Sequence, residues 1–128
     1  MGEVIIRASQ EDDSPYLIWS TNVDNAIYVF ENRAEIVTYL LALPGRQPTA
    51  GPTSPLVRLK RADETGSSTL LPSMYKWDDP EFLVMEGPRM VHGSHWVLPR
   101  TKLRAYAEQL LADNEAAAYA LLELREDD

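Results

Sequence analysis

The chain contains no cysteine. A disulfide framework, a thiolate metal site and a cysteine nucleophile are therefore excluded, and a reducing compartment is the natural setting. Histidine is almost as scarce, with His92 and His95 alone. No run of about 18 apolar residues occurs, and Met1 to Arg7 has no basic stretch leading into a long apolar one. The sequence thus predicts a cytoplasmic protein with neither a membrane span nor an export signal. No serine stands in a Gly-x-Ser-x-Gly elbow, and no glycine-rich strand-to-helix turn is available to cradle phosphates. The usual enzyme signatures are absent.

Positive charge is also in short supply, with 12 basic against 20 acidic residues and a net charge of −8. Such a balance repels nucleic-acid phosphate and anionic membranes, so neither is an expected partner. From Met1 to Leu43 there are seven acids and two bases; only Pro44 to Thr65 is locally basic, with two acids and four bases. Acidity of this kind keeps a small protein soluble and also suits a basic partner surface. At 128 residues, 45% hydrophobic and 25% charged, the chain has the size and composition of one globular domain.

Val4 to Ala8 and Tyr16 to Thr21 are rich in β-branched and aromatic residues and flank an acidic turn containing Ser14-Pro15, which predicts a strand pair. Ala26 to Phe30 adds a third strand. Asn32 then reads as an N-cap, with Glu35 placed for a capping box and Ile36, Leu40 and Leu43 on one helical face. Residues 44–55, PGRQPTAGPTSP, hold four prolines and two glycines and read as a long connection. Leu56 to Arg61 is expected to be an edge strand and Asp63 to Ser73 a polar loop. A second meander is expected from Phe82 to Glu86, Met90 to His92 and His95 to Leu98. Leu103, Tyr106, Ala107, Leu110 and Leu111 predict a helix, and a last helix should carry Tyr119, Leu121, Leu122 and Leu124 before a fraying acidic tail.

The expected fold is α+β: a small, mainly antiparallel sheet in two β-meander segments, each followed by a packing helix, with a C-terminal helical segment. The passage from Tyr28-Val29-Phe30 into Arg33 to Tyr39 echoes that from Trp96-Val97-Leu98 into Arg100 to Tyr106. That echo fits either an internal duplication or the common physics of strand-to-helix joints.

Candidate chemistry is sparse. Asp63-Glu64-Thr65-Gly66-Ser67 nears the Asp-Thr-Gly-Ser loop of aspartic proteases, but Glu64 stands where the essential aspartate would be and no apolar strand leads in. His92 and His95 lie three apart across a turn, one short of the three protein ligands zinc needs; Glu86 or the Asp78-Asp79 pair would supply a carboxylate, but at a spacing too loose to mark a site. No metal and no cofactor is expected, and no catalytic residue is assigned. A hydrolase around Glu64 or the two histidines is the third option. Arg58, Arg61, Arg100 and Arg104 form the candidate anion patch of the second option, a small-ligand or anion-binding protein. The leading candidate surface is Met74, Tyr75, Trp77, Asp78 and Asp79, where adaptable and aromatic side chains gather in a Pro-bounded stretch, as protein interfaces favour.

Tyr16-Leu17-Ile18-Trp19-Ser20, Val23-Asp24 and Asn32-Arg33-Ala34-Glu35 leading into Tyr39-Leu40 resemble small uncharacterised proteins of actinobacteria and their phages. That resemblance implies a phage or prophage accessory protein and carries over no functional residue. The expected function is a non-enzymatic protein-interaction domain that binds a host protein. Its oligomeric state is not legible in the sequence.

Overall fold

The computed structural model describes residues 3–42, 54–72, 74–85, 87–89 and 91–127. Their architecture is α+β, with two three-stranded antiparallel sheets and four helices among the described residues.

The first sheet comprises β1 (Glu3–Arg7), β2 (Tyr16–Ser20) and β3 (Asn25–Phe30), in that order. Val4 to Ile6 and all of β2 are buried, because both faces of this sheet are covered. Alternation therefore disappears from the sequence, and the strands read as continuous apolar runs. Ile5 faces Ile18 and Ile6 faces Leu17 across the first pair. In the second pair, Ile18 faces Tyr28 but Trp19 faces Ala26. Ile27 is the extra residue of a β-bulge.

One face of this sheet carries α1 (Arg33–Leu41) and α2 (Pro55–Thr65), whose Ile36, Leu40, Leu59 and Ala62 pack on Ile5, Tyr16 and Ile18. Asn32 caps α1 as its sequence predicts, accepting from the Glu35 N–H at 3.0 Å, while the Glu35 carboxylate reaches back to Glu31 rather than to Asn32. The opposite face meets the second sheet, made of β4 (Glu81–Val84), β5 (Ser94–Pro99) and β6 (Glu123–Glu126) in the order β4-β5-β6. A 3-10 turn at Arg100–Lys102 leads into α3 (Leu103–Leu111), which is followed by α4 (Glu115–Tyr119). Trp19, Tyr75 and Phe82 form the aromatic centre of this larger core, with ring centroids 5.1 to 6.2 Å apart.

Three sequence expectations are corrected. Leu56 to Arg61 is not an edge strand but most of α2. Pro55 starts the helix, Leu59 and Ala62 share its buried face, and Gly66 closes it in the left-handed region with φ +95°. The last helix stops at Tyr119, and Leu124 belongs to β6. The acidic tail is thus paired rather than frayed: Glu126 faces Ser94, and the Asp127 N–H donates to Gly93 O. Val91 and His92 are not in a strand, because β5 takes β6 as its second neighbour. Met90 and Glu86 lie outside the described residues, as do Leu43 and residues 44–53 of the Pro/Gly-rich connection.

Candidate functional site

In the Met74 to Asp79 segment Tyr75 is buried, while Lys76, Trp77 and Asp79 are half-buried. Tyr75 adopts φ +62° and is 6% exposed, its ring set against Trp19 and Phe82. Its N–H donates to the Asp79 carboxylate at 2.8 Å, which holds this unusual turn. Trp77 is anchored by its N–H to Thr65 O at 2.9 Å. Met74 and Asp78 are the members of the expected interface that face outward. Tyr75 is the residue by which the segment joins the larger core.

The four arginines of the anion patch do not converge. Arg58 donates to Glu3 O and Arg61 to Ser68 O, both backbone carbonyls beside β1. Arg100 and Arg104 do come together, lining a cleft of about 340 Å³ with Ala8, Ser9, Gln10, Glu11, Trp77 and Thr101. Their electrical situations are opposite. Arg104 is ringed by Glu11, Asp13 and Glu108 at 3.0, 2.9 and 3.4 Å, which raises its pKa and lowers that of Asp13, while Ser9 first and Arg104 second lower that of Glu11. Arg100 makes no salt bridge among the described residues. Its Nη2 donates to Arg7 O at 3.0 Å, and its guanidinium lies 4.6 Å from the Trp77 ring centroid and 5.4 Å from that of Phe82. Burial pulls its pKa down to about 10 against the attraction of Asp79. Nη1 is buried and finds no acceptor among the described residues.

The hydrolase candidates do not assemble. Glu64 is exposed in the last turn of α2, and Asp63 is committed to structure, accepting from Tyr16 Oη at 2.5 Å and pairing with Arg33 at 2.9 Å. His95 Nδ1 meets Asp127 Oδ1 at 2.6 Å, whereas His92 is exposed in the turn before β5. No group of three potential metal ligands converges among the described residues, and none of their helices is long and apolar enough to cross a membrane.

A surface that sequence reasoning missed lies on β3. The opposite edge of the sheet, at β1, is closed by residues 66–68: the Arg7 N–H donates to Gly66 O, and Ile5 exchanges bonds with Ser68. β3 has no strand neighbour beyond β2 among the described residues, and it is the edge strand without a charged side chain. Ile27 and Tyr28 are 40% and 50% exposed. Tyr39 of α1 extends the patch, its ring 5.4 Å from Tyr28 and 5.1 Å from Phe30, above a shallow hollow lined by Asn32, Ala34, Glu35 and Thr38. Burial, with Tyr28 and Glu3 adding smaller effects, raises the Tyr39 pKa. Asp24 precedes the strand, while Glu31 and Glu35 follow it. The available signal is the uncharged strand expected over Ala26 to Phe30, whose place at an edge of the sheet local periodicity does not reveal. Comparison of the chain with family models, with curated proteins and with solved structures gives no match.

Proposed function

We propose that this chain is a non-enzymatic protein-interaction domain that receives an extended segment of a basic partner along β3. The observation carrying this reading is an open edge strand without charge or proline, bearing exposed Ile27 and Tyr28 and continued by Tyr39. Edge strands of soluble proteins are normally blunted by charge, proline or a cover, because their unpaired N–H and C=O groups invite another strand. The edge at β1 is covered and β6 is charged, so β3 stands out within this molecule. Strand addition would satisfy its backbone, and the aromatic patch would supply buried contact area.

Charge selects the occupant. A second copy paired antiparallel through β3 would bring Asp24 of one chain toward Glu31 of the other, with both chains carrying a net charge of −8. A partner segment flanked by Lys or Arg would instead meet Asp24, Glu31 and Glu35 favourably. A host protein of a phage or prophage is one such partner. The proposed surface replaces the Met74 to Asp79 segment, whose Tyr75 is occupied in the core.

Capture experiments with immobilised wild-type chain, Ile27→Lys and Leu70→Lys test the assignment. Leu70 is 69% exposed and lies in the loop after α2, so its substitution controls for added charge. A specific partner should be retained by wild type and Leu70→Lys, lost by Ile27→Lys, and released as salt is raised. Equal retention by all three would place the interface elsewhere.

A further inference from the structure

We propose that the cleft floored by Arg100 and Trp77 is a binding site for a carboxylate carried on a flat apolar body. Its polar anchor is Arg100 Nη1, whose hydrogens have no acceptor among the described residues although the atom is buried. A buried charged donor left unmatched is costly, which favours an acceptor brought in by a ligand. The surroundings hold the guanidinium from one side and give it no salt bridge among the described residues. Nη2 is held by Arg7 O, the Arg100 N–H by Pro80 O, and both Trp77 and Phe82 present their rings to the cation. The Asp79 carboxylate attracts the guanidinium, but its Oδ2 is engaged by the Tyr75 N–H.

The choice of carboxylate over phosphate follows from charge counting. A phosphate dianion calls for more than one available cation, and Arg104 is already held by Glu11, Asp13 and Glu108. Glu11 also lines the cleft and would repel a second negative charge. A single carboxylate matches one guanidinium in charge and in planar geometry. Trp77 and Ala8 supply the wall for an apolar body, while Ser9, Gln10 and Thr101 provide neutral polar groups. Because Nη1 is out of contact with solvent, a ligand reaches it only when the stacked Arg100 and Trp77 side chains shift. Trp77 is consequently both wall and reporter.

Two sources present this chemistry: a free aromatic acid, or the C-terminus of a protein ending in an aromatic residue. Nuclear magnetic resonance titrations of the full chain distinguish them, with benzoate for the first, N-acetylphenylalanine for the second, and benzamide and inorganic phosphate as controls. The Arg100 Nε–H and Trp77 indole signals should shift saturably with benzoate at a dissociation constant on the order of 1 mM. Tighter binding of N-acetylphenylalanine would identify a chain terminus as the source. Arg100→Lys should weaken binding about tenfold by removing the planar fork. Should that variant fail to fold, Thr101→Glu, at the exposed rim, is expected to weaken binding through repulsion. Ile27→Lys should leave binding unchanged, which separates this site from the β3 surface. Equal shifts with benzamide, stronger binding of phosphate, or unchanged affinity in both Arg100→Lys and Thr101→Glu would overturn the proposal.

Discussion

Tyr16 shows how one side chain ties three elements together. Its hydroxyl, on β2, donates to Asp63 of α2 at 2.5 Å, and Asp63 in turn pairs with Arg33 of α1. Burial first, then the hydrogen bond and charge of Asp63, push the Tyr16 pKa up to about 12 from 10. A raised pKa means that the folded state holds the proton more tightly than the unfolded chain. The resulting stability is complete below pH 10 and is lost as the pH climbs toward 12. Tyr16→Phe, which keeps the ring, should cost about 1 kcal/mol at neutral pH through the lost hydrogen bond. Its urea midpoint should then fall less steeply than that of wild type between pH 10 and 12. A residual slope is expected, since Tyr39 and Tyr75 also have raised pKa values. Parallel slopes for the two proteins would mean that Tyr16 ionisation is not what weakens the fold. None of this geometry is legible in the sequence, where Tyr16 is one aromatic in a strand and Asp63 belongs to an apparent polar loop.

At the scale of elements, Gly66 joins a helix terminus to the Arg100 cleft. It ends α2 at φ +95°, with its N–H bonded to Ala62 O, and its carbonyl accepts from the Arg7 N–H at the edge of β1. A Cβ here would lie 2.7 Å from Arg100 Nη2 and 2.8 Å from the Trp77 ring. Gly66→Ala therefore combines a left-handed backbone penalty of about 1–2 kcal/mol with displacement of the two cleft side chains. It should lower the urea midpoint and shift the Trp77 indole resonance together. A changed midpoint with an unmoved indole signal would show that backbone strain acts alone. The same residue explains why α2 was misread. Leu56-Val57-Arg58-Leu59-Lys60-Arg61 alternates enough to pass for a strand, but Pro55 and Gly66 bracket a helix at its natural start and stop. By contrast, α1 and α3 were legible because a cap or a long apolar stripe agrees with the tertiary packing. The C-terminal strand was not, since Glu123-Leu124-Arg125-Glu126 acquires strand character only by pairing with β5. For the site, Trp77, Arg100 and Arg104 were each visible as residue types. Their meeting in one cleft depends on the return of the chain to β1, a contact between distant segments that local periodicity cannot encode.

Across the whole molecule, the excess of acid is organised rather than merely spread. Arg104, on α3, gathers Glu11 and Asp13 from the β1–β2 turn, so one cation fastens the first sheet to the second half of the chain. Arg125 pairs with Glu81 and Glu123, and Lys102 with Glu123, which ties β4, β6 and the 3-10 turn together within the second half of the chain. Hydrogen bonds from Ser9 and Arg104 lower the pKa of Glu11, those from Arg104 lower that of Asp13, and those from Arg125 and Lys102 lower that of Glu123. Carboxylates with depressed folded-state pKa values stabilise the fold above their ordinary range near pH 4 to 4.5, and that contribution disappears as the pH falls through the lowered values. Arg104→Gln removes the shared cation and should bring Glu11 and Asp13 back toward their ordinary values. The variant should be weaker than wild type at pH 7, and the difference should shrink on acidification to about pH 3, where the wild-type advantage is being titrated away. Thermal midpoints of both proteins across that range measure the convergence. A gap that stays constant with pH would assign Arg104 a packing role instead of an electrostatic one. High salt gives an independent reading: it should narrow the gap at pH 7, because these pairs are exposed and screened.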